Sequence, residues 1–134
     1  DVVVAKTPFG NIGLMVCYDL RFPELALTLR ARGANILTAP AAFTYTTGEM
    51  HWQLLLQARA MDSQSIVLGA AQQGWHGEKR QTWGHAAATN SRGQVLDLIL
   101  NPGAQLITVP FDLAEQVQIR ESMPLMQHRK LVQF

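Results

Sequence analysis

Ile12-Gly13-Leu14-Met15-Val16-Cys17-Tyr18-Asp19-Leu20-Arg21-Phe22-Pro23-Glu24 passes from an apolar run through a polar corner into a proline-led segment. The run 12–16 reads as a strand that stops at Cys17-Tyr18-Asp19. Pro23 is tolerated in the first turn of a helix, so a helix is expected over about residues 22–32. Leu25, Leu29 and Arg32 recur there at helical spacing with Ala26 and Leu27 beside them, and Gly33 stands in the usual post-helix position. Upstream, residues 2–6 are β-branched and apolar and Thr7-Pro8-Phe9-Gly10-Asn11 supplies turn residues, which makes the opening a hairpin.

Downstream, 34–39 (ANILTA) is a short apolar run without alternation, as in a strand covered on both faces, and Pro40 ends it. The Thr-rich stretch 41–50, with Gly48, reads as a loop, and 51–61 as a second helix because good helix formers dominate. Residues 65–71 (SIVLGAA) form another covered strand, and 72–84 a polar loop able to line a site. Residues 85–89 and 94–100 flank the turn Asn90-Ser91-Arg92-Gly93 and read as a hairpin. A last strand is expected over 105–111, a closing helix over 113–121 and a tail over 124–134. Strands alternate with helices in the first half, so the fold class is α/β with parallel pairing dominant. The chain opens inside a strand with no helix or cap before it, so further sequence is expected to precede it.

Hydrophobic residues make up 48% of the 134 and charged residues 16%, which is globular, and no apolar run approaches the roughly 20 residues of a membrane span. Eleven basic and ten acidic residues are scattered along the chain, with no basic stripe to bind phosphates, so neither nucleic acid nor a membrane is expected as a partner. The opening DVVVAKTPFG lacks signal-peptide features, so localisation defaults to the cytosol. A single Cys can neither close an internal disulfide nor, without a second thiolate, build the usual structural zinc site.

Reacting groups in open parallel sheets sit beyond the carboxyl ends of strands, where backbone N–H groups can receive negative charge. Cys17 occupies such a place, as a nucleophile or as a small buried hydrophobe. A nucleophile needs a base. His51, His76, His85 and His128 are available, but no motif ties any of them to Cys17, and a Cys–His hydrolase predicts one of them within about 3 to 4 Å of it. Arg21 could pair with a substrate carboxylate or with Glu24 on the surface. Phe43 is a pocket wall or a core residue, and Thr47 a ligand or a turn residue. Asp19 is expected to order the corner through backbone hydrogen bonds, and Arg59 to be a buried, paired structural cation.

The run Gly13 to Glu24 resembles the nucleophile motif of the nitrilase superfamily. The resemblance continues through Gly33-Ala34-Asn35-Ile36-Leu37, Pro40-Ala41-Ala42-Phe43, Thr47-Gly48, His51-Trp52, Ala58-Arg59-Ala60, Ala70-Ala71-Gln72, Glu78-Lys79-Arg80, Gly84-His85 and Gln127-His128-Arg129. It is similar to the Nit branch, whose members hydrolyse amides of 2-oxo acids such as deaminated glutathione, 2-oxoglutaramate and 2-oxosuccinamate. The stretch around Glu78-Lys79-Arg80 favours the first. The resemblance implies an αββα sandwich, of which residues 1–134 form the C-terminal half of a single domain. It also implies a glutamate–lysine–cysteine triad with Cys17 as nucleophile, and the N–H of Tyr18 as an oxyanion donor. Arg21, Phe43 and Thr47 become substrate-binding residues, and no cofactor or metal is needed. Both triad partners precede the nucleophile strand in that family, and neither Lys6 nor Glu24 replaces them. The implied partners are a small amide substrate, a second copy in a homodimer or higher oligomer, and the N-terminal half of the same domain. The alternative is a catalytically incomplete fragment acting as a binding or interaction module.

Overall fold

The computed structural model describes residues 1–130. Its centre is a six-stranded sheet with order β1-β2-β3-β4-β7-β8. Strand β1 (Val4–Thr7) turns back on β2 (Gly10–Leu14) as the expected antiparallel hairpin. Strands β2, β3 (Ile36–Thr38) and β4 (Ile66–Gly69) run parallel, while β4, β7 (Ala87–Thr89) and β8 (Val95–Leu98) pair antiparallel. Parallel pairing therefore holds only at the centre and does not dominate, because a hairpin closes each end of the sheet.

The connection β2 to β3 runs through α1 (Pro23–Ala31), with proline at the helix start, and β3 to β4 through α2 (Tyr45–Ser63). Both helices cover one face of the sheet. The row Gly13, Leu37, Val67 and Thr89 lies under them. Gly13 is small because α1 presses there: a Cβ would stand 2.7 Å from a Leu37 methyl and 3.1 Å from the Cβ atoms of Leu29 and Ala34. Trp52, Leu56, Leu29, Leu37 and Val67 form the core with essentially no exposure, each side chain contributing about 1.5–3 kcal/mol by leaving water.

The neighbouring row, Leu14, Thr38, Leu68 and Ala88, points to the other face, where no helix among the described residues lies along the strands. There Val3 and Leu14 remain 45% and 47% exposed. At the amino ends of the parallel strands α3 (Leu113–Ser122), capped by the Asp112 carboxylate on Ala114 N–H, seals the bottom. Its Arg120 donates to the carbonyls of Gln64 and Ala34 and to the Ser65 hydroxyl, and burial, with the charge of Arg30 adding, pushes its guanidinium down to about 10.

The structure differs from the sequence expectation in four places. Helix α2 begins six residues earlier than 51, because Gly48 lets it press on Trp83. A Cβ at 48 would stand 2.2 Å from the Trp83 Cβ, so the weak helix former is a contact residue. Residues 72–84 are not one loop but carry a second hairpin, β5 (Gln73–His76) with β6 (Arg80–Trp83). Residues 105–111 form no strand and join neither sheet; Gln105, Leu106, Ile107 and Val109 instead line a cavity beside Leu68 and Ala88. The tail holds a one-turn helix α4 (Leu125–His128), and its last four residues, 131–134, lie outside the described ones. No helix among the described residues is long and apolar enough to cross a membrane.

Candidate active site

Beyond Leu14 the chain leaves the ladder without losing its bonds. Met15 N–H donates to Thr38 O at 3.0 Å, and Cys17 N–H to Pro40 O at 2.9 Å. Cys17 itself turns the chain with φ +48°, the left-handed region that a non-glycine residue occupies at a cost of about 1–3 kcal/mol. The next residues form a 3-10 turn, Cys17–Arg21, before Pro23 opens α1. Asp19 clasps this corner: its carboxylate accepts from Val16 N–H at 2.8 Å while its own N–H donates to Val16 O at 3.0 Å. That is the ordering role expected of it. The left-handed backbone held by these bonds carries the free thiol of Cys17 at the end of the strand.

Cys17 is half-buried and lines an open cavity of about 490 Å³ with Val16, Pro40, Ala41, Ala42, Ala70, Ala71 and Gln72. The sulfur-bearing residue is thus not sealed in hydrocarbon. No acceptor among the described residues takes the N–H of Tyr18, the next residue, as befits a donor at the start of a short helix. A second cavity of about 490 Å³ adjoins the first, sharing Ala70, Ala71 and Gln72 and adding Gln73, His76, His85 and Gln105.

Arg21 does not pair with Glu24. Its two terminal nitrogens approach His51 Nδ1 at 3.3 and 3.4 Å, and its guanidinium carbon lies 5.3 Å from the Tyr18 ring centroid and 5.4 Å from that of Phe43. Contact with two aromatic rings holds a planar cation by its faces and leaves edges for a carboxylate. Phe43 is 7% exposed and meets Trp52 edge to face at 5.2 Å, so it is a core residue that supports Arg21 rather than a wall of the cysteine cavity. Thr47 lies in the first turn of α2, not in a loop, and its hydroxyl is engaged with the Thr44 hydroxyl at 2.8 Å. The structure therefore gathers Cys17, Tyr18, Arg21 and Phe43 around one corner, and turns Thr47 toward its own helix start.

The histidines serve elsewhere: His51 meets Arg21, His76 the Thr82 hydroxyl at 2.7 Å, and His85 the Trp83 carbonyl at 2.8 Å while stacking on the Trp83 ring. None of the four hydrogen-bonds Cys17 among the described residues. Lys6 and Glu24 are exposed, on β1 and in the first turn of α1, and among the described residues no carboxylate or amine lines the cysteine cavity. Arg59 is buried and lies 3.1 Å from the Asp62 carboxylate, the paired cation expected. Two contributors stand in runs that the resemblance covers but were given no role there: Gln72, the one amide in the wall, and Arg80, whose Nη2 donates at 3.2 Å to the carbonyl of Ala42, a wall residue.

Known proteins share this fold. The family described as carbon-nitrogen hydrolase matches residues 1–121. A deaminated glutathione amidase of Yersinia enterocolitica is 47% identical over 98% of this chain, which spans 46% of that relative. The crystal structure of the Caenorhabditis elegans NitFhit protein superposes with a TM-score of 0.84 at 42% identity, over 92% of this chain and 30% of that one. That of Saccharomyces cerevisiae Nit3, a member of branch 10 of the nitrilase superfamily, reaches 0.89 at 30% identity over 98% of this chain and 48% of the other. The chain spans less than half the length of these relatives.

Proposed function

Since the chain belongs to the carbon-nitrogen hydrolase family, we propose that it supplies the nucleophile half of an amidase that cleaves the amide of a small 2-oxo acid through a thioester on Cys17. The observation that carries this reading is the left-handed Cys17 at the strand end, bound through its own N–H to Pro40 O and opening onto an apolar cavity beside the unused N–H of Tyr18. The sulfur attacks the amide carbon and forms an S–C bond, and the negative charge that gathers on the carbonyl oxygen is met by the Tyr18 N–H. Collapse breaks the C–N bond, the departing amine takes a proton, and water then cleaves the thioester to the free acid and the thiol. The proton-transfer base and a cation for the oxyanion come from residues outside this chain, in keeping with a cavity that offers neither.

In this reading the N-terminal half of the domain supplies those groups and covers the sheet face where Val3 and Leu14 are exposed. Arg21 takes the carboxylate of the 2-oxo acid with Phe43 as its platform, and Thr47 joins once it exchanges its Thr44 bond for substrate. Exposed Met50, Leu54 and Met61 along one side of α2 suit contact with a second copy, and a lone free thiol suits a reducing cytoplasm. Relatives named deaminated glutathione amidase favour that compound as substrate.

The test is the complete polypeptide assayed on deaminated glutathione and on 2-oxoglutaramate. Hydrolysis of both, faster for the first, is expected; hydrolysis of neither would leave the incomplete binding module as the reading. In the same assay Arg21→Leu is expected to raise KM for either 2-oxo acid about ten- to hundredfold, the worth of one charge-assisted hydrogen bond, and much less for a neutral amide. An equal effect on charged and neutral substrates would remove Arg21 from carboxylate binding.

A further inference from the structure

We infer that Arg80 selects the leaving-group side of the substrate by binding a carboxylate carried by the departing amine, an inference that rests on the amidase reading above. Deaminated glutathione carries a carboxylate on each side of its scissile amide, one on the 2-oxo acid and one at the end of the departing dipeptide. The cysteine cavity has six apolar walls, with Gln72 beside them, and cannot hold either charge by itself. Two guanidinium groups are held by consecutive residues at its side: Arg80 donates to the carbonyl of Ala42, which lines the cavity, and Arg21 lies over the ring of the next residue, Phe43. Arg21 serves the acyl side, since it follows the nucleophile on the same 3-10 turn. Arg80 comes from a separate element and is left for the other end.

Arg80 is exposed, yet its backbone is fixed. It is the first residue of β6, opposite His76 in β5, and the hairpin is pinned to the start of α2 in three ways. Trp83 N–H donates to Phe43 O at 3.0 Å, Thr82 pairs with Thr44, and the Trp83 ring meets Tyr45 edge to face at 4.9 Å. The bond to Ala42 O uses one of the five N–H donors of the guanidinium. No carboxylate among the described residues forms an ion pair with it, the pairs there being Arg59–Asp62 and Arg92–Glu115. A solvated surface arginine would need no anchor at the cavity edge; a fork held on a backbone carbonyl with donors to spare suits bidentate capture of a carboxylate.

The experiment compares Arg80→Ala and Arg80→Lys with the unaltered complete polypeptide on two substrates. Deaminated glutathione releases a dipeptide carboxylate, whereas 2-oxoglutaramate releases ammonia. Arg80→Ala is expected to lower the ratio of kcat/KM for deaminated glutathione to that for 2-oxoglutaramate about tenfold, through KM, and Arg80→Lys to recover part of that loss. A ratio unchanged within twofold would overturn the inference while the unaltered protein still hydrolyses deaminated glutathione. Failure of the unaltered protein on both substrates would overturn the amidase reading and this inference with it.

Discussion

Replacing Cys17 with alanine is expected to lower turnover on the order of a millionfold, the scale seen when a covalent nucleophile is removed from a site whose groups act as a unit. Alanine keeps the Cβ, so the left-handed backbone at 17, the bond from its N–H to Pro40 O and the Asp19 clasp on Val16 all survive. What is lost is the one atom able to form the acyl bond. Cys17 is half-buried, so the deleted sulfur leaves no sealed void, and thermal stability should change by less than about 1 kcal/mol. Steady-state amide hydrolysis and a melting curve on the same preparation check both halves of this expectation. Residual activity above a hundredth of the original, from a protein that melts normally, would assign the chemistry to another residue.

Trp52→Ala is expected to have the largest effect on the fold. Trp52 is 1% exposed, meets Phe43 edge to face and donates its indole N–H to His85 O at 2.7 Å, tying α2 to the strands behind it. Truncating a buried tryptophan costs about 3–5 kcal/mol, and the abandoned carbonyl adds about 1–3 kcal/mol, out of a total of about 5–15 kcal/mol for an ordinary domain. The loss also frees Phe43, on which Arg21 rests, so substrate affinity should fall before the protein unfolds. Urea denaturation of the complete polypeptide measures the first effect. A midpoint shift worth less than about 1 kcal/mol would mean that the Trp52 environment is looser than its burial indicates.

How far the residues announced these features depends on how local the cause is. The strand, corner and helix around Cys17 were legible because an apolar run, a polar break and Pro23 follow one another in a dozen residues. The early start of α2 was not, since Gly48 in a Thr-rich stretch reads as loop until Trp83, 35 positions later, is seen to need its missing Cβ. The hairpin β5–β6 is built mostly of polar residues around Gly77-Glu78-Lys79, so no alternation marks it; it is held through Trp83 against the start of α2. Conversely 105–111 is apolar enough to read as a strand but joins neither sheet. In the site, the place of Cys17 at a strand end was legible from position and Tyr18 came with the resemblance, whereas the contacts of Arg21 with Phe43 and of Arg80 with Ala42 join residues 22 and 38 apart in sequence. Thr47 misleads for the opposite reason: a local partner, Thr44, takes its hydroxyl.

The proposal stands or falls on a covalent bond. Rapid acid quenching of the complete polypeptide during turnover of deaminated glutathione, followed by peptide mass analysis, should find the 2-oxo acyl group as a thioester on the peptide containing Cys17. Unmodified Cys17 throughout turnover, with the acyl group bound to a different residue, would contradict it.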